Sequence, residues 1–354
     1  MKIGLGLLSG EKTEWDPRTH QEIFCDLIEI ARAAEDAGFD SVWLSEHHFY
    51  DDAHLSSVLP MAAAIASVTK KIEIGTAIAL APFYDPIRLA EDAVTVDQIS
   101  AGRFSLGLGL GYAGIEFEGF GINPAERSGR LEELISVLKL AWQGERFSFQ
   151  GNYYKYQGVR VLPRPVRKPH LPILLAGMVP RAIERAGRLA DGFIAPNLPP
   201  ETLRQRRQTI EKILLQRGYD RQQFLFCALK FAFVTYDSQM WEQIQRPFKY
   251  VKGNYQREFA LQANKPIAQK KLVDLGDERG DFFLGTPDEC RSFLRHMKET
   301  VGEDCHIILR LYLPGLAKAN VLEAIKLMGS EVLPSLRSDS VARTSAAVKG
   351  ASNL

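Results

Sequence analysis

A single (β/α)8 barrel, an α/β fold with an insertion after its seventh strand, is the fold class that this 354-residue sequence predicts. Short apolar runs alternate with amphipathic stretches, as in parallel strands covered by helices. The alternation continues through eight strand and helix pairs, and closing them into a barrel satisfies both sheet edges without reversing strand order. A hydrophobic fraction of 45% over this length supplies an ample core.

The first strand is read at Ile3 to Leu8. Between His20 and Ala37, Ile23, Leu27, Ile30, Ala31 and Ala34 recur at helical spacing, and Gly38 follows where a left-handed cap belongs. A strand at Ser41 to Ser45 precedes a helix at Leu55 to Val68, and a strand at Ile72 to Leu80 precedes one at Pro86 to Ile99. The fourth strand, Phe104 to Leu108, leads to a helix from Glu126 to Trp142 and then to an aromatic hairpin, FSFQGNYYKYQGVRV. Strands at Ile173 to Ala176, Gly192 to Ala195 and Phe224 to Val234 alternate with helices at Arg181 to Leu189 and Glu201 to Arg217. A polar helical region from Tyr236 to about Phe282 is the insertion. Thr286-Pro287 then opens a helix, His306 to Leu311 is the eighth strand, and Ala319 to Val332 the last helix. Residues 1–336 form the barrel; the small, polar residues 337–354 offer little to bury and are expected to be a flexible tail.

The 44 Lys and Arg nearly cancel the 43 Asp and Glu, leaving a formal charge of +1. Such a chain has no field to gather a nucleic acid or an anionic membrane, so a small-molecule partner is expected. Cys25, Cys227, Cys290 and Cys305 stand far apart without a CxxC and read as reduced core thiols. The N-terminal run is short and broken by glycine, unlike a signal peptide, and no stretch reaches the ~20 apolar residues of a membrane span. A cytoplasmic protein is expected.

Glu46-His47-His48 falls at the C-terminal end of the second strand, the rim where barrel enzymes place their chemistry. Paired histidines suggest a metal, but neighbours on a strand face opposite ways, so no metal is expected; one inward histidine touching a ligand is the better reading, a merely structural pair the alternative. Gly109, Gly111 and Gly114 form a GxGxxG after the fourth strand. A dinucleotide site needs a helix starting within those glycines, and Gly119, Gly121 and Pro124 delay the next clear one. The glycines then either admit a ligand close to the backbone or make a steric turn. Arg127, opening a helix, either pairs with Glu132 or Glu133 or holds an anion beside exposed N–H groups. Leu175 to Arg181, strand end to helix start, is a second place where free amides could meet phosphate. Tyr153, Tyr154 and Tyr156 read as hairpin packing on the barrel exterior, and Arg160 to Lys168 as a solvated linker.

Taken together, Glu46-His47-His48-Phe49, the run DPIRLAEDAVTVDQISAGRFSLGLGLG from Asp85 to Gly111, Phe120-Gly121, Glu126-Arg127 and RAGRLADGF from Arg185 to Phe193 resemble the bacterial luciferase-like monooxygenases. The likeness extends to FLGTPDE at Phe283 to Glu289 and EVLP at Glu331 to Pro334. It implies a (β/α)8 barrel that binds reduced FMN (FMNH2) from a separate flavin reductase and oxygenates a small organic substrate with O2 through a flavin C4a-hydroperoxide. One branch of the family uses the deazaflavin F420 for hydride transfer instead, and a non-catalytic flavin-binding protein is a third reading. Relatives pair through helices beside strands two and three, so a homodimer is expected, with the small-residue face PMAAAIA from Pro60 to Ala66 permitting close approach.

The resemblance also implies site residues. His47 matches the histidine next to the flavin, with His48 facing away. Thr76, Ala77 and Ile78 match a strand end where relatives carry a non-prolyl cis peptide beneath the flavin ring, so a cis Ala77-Ile78 bond is expected. Arg127 matches the phosphate-binding arginine, and Tyr112 a position whose backbone amide helps hold that phosphate. Gly177, Met178 and Arg181 match the loop and helix start completing the cradle, and Gly109 and Leu110 lie on the same rim. Bacterial luciferase has arginine in place of Leu110 and a Glu-Ser pair in place of Gly177-Met178, which argues against light emission.

Overall fold

The computed structural model describes residues 1–262 and 282–337. The predicted tail beyond Arg337 and part of the insertion, 263–281, lie outside the described residues.

The first half of the barrel comprises β1 (Lys2–Leu8), α1 (His20–Asp36), β2 (Ser41–Leu44), α2 (Val58–Val68), β3 (Glu73–Thr76), β4 (Ala79–Leu80), α3 (Pro86–Ile99) and β5 (Phe104–Gly109). Next come α4 (Gly114–Gly119), α5 (Arg127–Ala141) and a hairpin of β6 (Phe147–Gln150) and β7 (Lys155–Val159). The second half runs through β8 (Ile173–Ala176), α6 (Pro180–Leu189), β9 (Gly192–Ala195), α7 (Pro200–Arg217) and β10 (Leu225–Val234). Last are α8 (Met240–Gln262), β11 (Phe282–Gly285), α9 (Pro287–Val301), β12 (His306–Arg310) and α10 (Lys318–Leu327).

Local chemistry sets several starts. Thr19 with Glu22 and Thr286 with Glu289 form reciprocal capping boxes for α1 and α9. Asp85 accepts from the N–H groups of Ile87 and Arg88, and Pro86 opens α3 where its missing N–H costs nothing.

The strands β1, β2, β3, β5, β8, β9, β10 and β12 pair in that order, all parallel, and β12 pairs back to β1, closing the predicted eight-stranded barrel. Phe231 of β10 pairs with both Arg310 of β12 and Phe282 of β11, so β11 extends the edge that β9 leaves free. The strand read at Ile72 to Leu80 is in fact two, β3 and β4, separated by the Ala77-Ile78 peptide, which is cis as expected. The helix read from Leu55 starts at Val58, because Leu55 is tied into a loop: its N–H donates to Ser9 O and its carbonyl accepts from His47 N–H. Cys25 is exposed on α1, contrary to the core reading, whereas the other three cysteines are buried. The 160–168 stretch is largely exposed, as read, and is anchored at two points: Arg160 Nε donates to Gly144 O and Arg167 Nε to Gly102 O.

The main core lies between strands and helices, and a second apolar cluster fills the lumen with Leu7, Trp43, Leu174, Ile194, Cys227 and Ile308. Trp43 plugs the lower barrel. Its Nε1–H donates to Ser41 Oγ at 2.7 Å, and that hydroxyl lies 2.7 Å from His306 Nε2. Gly75 makes room, since a Cβ there would sit 2.2 Å from the indole. The inner cavity opens above this plug, at the C-terminal rim.

Candidate active site

Above the plug the strands end around a cavity of about 460 Å³, within the ~300–1,000 Å³ usual for small-molecule sites. Leu7, Ala176, Ile194 and Ile308 line it from the strands, Ala77 and Ile78 from the junction of β3 and β4, and α8 brings Phe248 against it. A second, outer pocket of about 1000 Å³ adjoins it and shares Tyr112 and Arg127.

β2 stops at Leu44, so Glu46, His47 and His48 lie on the following loop. Their orientation comes from α4, which carries the fully buried Glu116. Glu116 Oε1 lies 2.9 Å from His47 Nδ1 and accepts the His48 N–H at 2.9 Å. A carboxylate only accepts, so Nδ1 holds the proton and Nε2 turns its lone pair to the Tyr112 hydroxyl, 3.0 Å away. His48 turns elsewhere: its Nε2 meets Glu46 Oε1 at 2.8 Å and its ring packs on Phe120. One histidine lines the cavity, as expected, but the loop and Glu116 select it rather than strand parity.

Arg127, in the first turn of α5, lines both pockets. Its two predicted carboxylate partners are engaged elsewhere. Glu132 takes Arg185 at 2.9 Å, and Glu133 accepts the N–H groups of Asn152, Tyr153 and Tyr154. Among the described residues Arg127 forms no ion pair. Close by, Gly177, Met178, Val179 and Ala182 line the cavity where α6 begins, so the positive end of a helix faces it. From outside, Arg206 donates to the carbonyls of Gly177 at 3.2 Å and Met178 at 2.8 Å, which holds this loop in place. Desolvation lowers the pKa of Arg206, and no carboxylate among the described residues offsets it.

The family model described as luciferase-like monooxygenase matches residues 5–304. The chain belongs to this family. The oxygenase component of the flavin-dependent trigonelline monooxygenase of Acinetobacter baylyi is 30% identical over 48% of this chain and 48% of its own length. An F420-dependent glucose-6-phosphate dehydrogenase of Microbacterium testaceum is 34% identical over 48% of this chain and 52% of its own. The match thus spans about half the length of these relatives. The alkanal monooxygenase alpha chain of the Kryptophanaron alfredi symbiont is 24% identical over 96% of this chain and 99% of that one. Among solved structures, monooxygenase RslO1 from Streptomyces bottropensis shares the fold at a TM-score of 0.79 and 22% identity, covering 95% of this chain and 99% of that one.

Of the residues that the luciferase-like resemblance singled out, His47, Ala77, Ile78, Leu110, Tyr112, Arg127, Gly177 and Met178 line the cavity. Three do not. Thr76 is buried in strand pairing, donating to Gly107 O at 2.7 Å and accepting its N–H at 2.9 Å. Gly109 is packed on Ile78, where a Cβ would meet Cδ1 at 1.7 Å, so its glycine serves strand contact rather than ligand approach. Arg181 is exposed on α6. The phenol of Tyr112, not only its backbone, faces the site.

Glu116 escaped the sequence reading. A helix does start at Gly114, within the glycines, but its six residues are under two turns and show no 3.6-residue period. Phe231, Phe248 and Lys252 also line the cavity, yet β10 and α8 meet it only through the closed barrel. Tyr153, Tyr154 and Tyr156 stay outside: Arg130 lies over the first two rings, and Tyr156 Oη donates to Asp85.

Proposed function

We propose that this chain is the oxygenase component of a two-component flavin monooxygenase. In this reading the inner cavity takes reduced FMN from a separate reductase, with O2 and a small organic substrate meeting it there. One observation carries it: an apolar cavity whose wall holds an arginine without an ion pair among the described residues, a helix N-terminus, and an imidazole oriented by a buried carboxylate. These are the needs of a flat apolar ring, a phosphate and a proton transfer. The alkanal monooxygenase chain, similar over the whole length, supports the same reading.

When bound, the flavin would deliver two electrons to O2, so that one oxygen atom enters the substrate and the other leaves as water. The chain's own residues do the rest. Arg127 and the amides after β8 hold the phosphate, and Ala77-Ile78 seats the ring. Phe231 and Phe248 exclude water. His47 Nε2 and the Tyr112 phenol exchange the proton.

The half-length likeness to F420-dependent dehydrogenases favours a second reading, hydride transfer with F420 in the same cavity. Titration with reduced FMN and with reduced F420, each followed by O2 uptake, separates the two. Tight FMN binding with substrate-coupled O2 uptake is expected; binding of F420 alone, without O2 uptake, overturns the proposal. A mere flavin carrier has no use for the Glu116-held imidazole, and would bind FMN without turnover.

A further inference from the structure

The wall between the inner cavity and the outer pocket contains a third, small cavity of about 20 Å³. His47 and Tyr112 line it together with the inner cavity, while Tyr50, Asp52 and Asn254 line it together with the outer pocket. Here a second histidine and carboxylate face the first pair. His54 Nδ1 lies 3.2 Å from Glu11 Oε1, and Arg310 Nη2 lies 3.6 Å from the same oxygen. Burial alone would raise the pKa of Glu11, but His54 and Arg310 outweigh it and hold the carboxyl at about 2. Glu11 is therefore an acceptor, so His54 keeps its proton on Nδ1 and presents a lone pair at Nε2.

His54 Nε2 and Glu11 Oε2 are buried and have no hydrogen-bond partner among the described residues. The two imidazoles pack edge to face, with ring centroids 4.8 Å apart and planes at 89°. The loop is fixed around them. Asp52 Oδ1 accepts the His54 N–H at 3.1 Å, and Asp52 Oδ2 accepts the Tyr250 hydroxyl at 2.6 Å.

We propose that the Glu11–His54 pair and this small cavity form a proton inlet, resupplying His47 and Tyr112 from the outer pocket. The inference rests on the reading of the inner cavity as a flavin site, whose chemistry needs protons yet little water. A cavity of this size holds one water, and a buried imidazole nitrogen is normally satisfied. That water bonds His54 Nε2 and reaches the Tyr112 side of the cavity. A proton arriving from the outer pocket makes His54 an imidazolium beside the Glu11 carboxylate. It then leaves through the water to Tyr112, once the phenol has given its own proton to His47 Nε2 or to the bound ligand. One proton crosses and no electrons move.

The test compares wild type with His54→Gln, which keeps the hydrogen bonds but cannot carry a proton, and with Glu11→Gln as a second variant of unchanged shape. In the unloaded protein labelled with 15N-histidine, solvent exchange of the His47 ring N–H is followed by NMR. With reduced FMN bound, the rate of flavin oxidation by O2 and its solvent isotope effect are measured. Exchange and oxidation are expected to slow about tenfold or more, with FMN affinity unchanged, and imidazole in the buffer should restore oxidation in His54→Ala. Unchanged exchange in both glutamine variants, or no rescue by imidazole, overturns the inlet. Should the protein bind no reduced FMN, the flavin reading fails, while the exchange measurement still decides the inlet.

Discussion

Glu116 holds His47 in place: its Oε1 lies 2.9 Å from the imidazole Nδ1 and also accepts the N–H of the next residue, His48. A single buried carboxylate thus sets both the tautomer of His47 and the direction of the loop carrying it. Glu116→Gln should keep the fold, because the amide oxygen can still accept, but lower turnover by ~10-fold or more through a misassigned tautomer. His47→Ala should cost ~10²-fold or more, and His48→Ala much less. The measurement is kcat beside FMN affinity for each variant; equal losses at His47 and His48 would remove His47 from the chemistry.

Arg127 is assigned to the cofactor phosphate because Glu132 and Glu133 are engaged elsewhere. Arg127→Met should weaken reduced FMN by about one to two decades, the ~1.5–3 kcal/mol of a charge-assisted contact, with little change in Tm. Riboflavin, lacking the phosphate, should bind both proteins alike. Equal FMN affinity in wild type and variant would make Arg127 structural.

Burial, helped by Lys2 and the N-terminus, pushes the His306 imidazole down to about 3. In the unfolded chain it titrates near its ordinary value of ~6.5. Between those values the unfolded chain binds a proton that the folded chain refuses. The stability tied to neutral His306 is therefore whole above about pH 6.5 and falls away as the pH drops, by on the order of 4 kcal/mol once the folded value is reached. Glu11, held at about 2, adds its own loss only below its ordinary range near 4.5. Urea midpoints between about pH 5 and 7 isolate the histidine, and His306→Gln should flatten that segment. A slope unchanged by the substitution would refute the assignment.

Gly107 and Gly109 separate two costs of a methyl group. A Cβ at Gly107 would stand 1.9 Å from the Thr76 backbone carbonyl, which cannot move without breaking the barrel register. Gly107→Ala should cost about 3 kcal/mol or more. At Gly109 the obstacle is the Ile78 side-chain end, which can turn, but towards the cavity that it lines. Gly109→Ala should be milder in denaturant and harsher in flavin affinity; the reverse order would contradict this packing.

A homodimer through α2 and its neighbours remains our proposal. Met61, Ala62, Ile65 and Ala66 of the small-residue run are buried within the protomer, leaving Pro60, Ala63 and Ala64 for close approach. Light scattering at micromolar protein should give twice the chain mass, and a monomer mass would refute it.

The alternation of apolar runs and amphipathic stretches was enough by itself to determine the eight-unit barrel, since a strand buried on both faces and a helix buried on one leave different periods. Caps such as Thr19 with Glu22 were equally local, which is why helix starts fell within a few residues of their expected places. His47 and Arg127 were legible as candidates from their positions on the rim. Their partners were not. Glu116 meets His47 across 69 positions, and Glu11 meets both His54 and, across the closure of β1 on β12, Arg310. Nothing in local periodicity encodes such a meeting, because direction and burial depend on which elements the barrel brings side by side. Only the tertiary structure decided that Arg127 lacks an ion pair among the described residues, that Tyr112 offers its phenol, and that a second histidine stands behind the first.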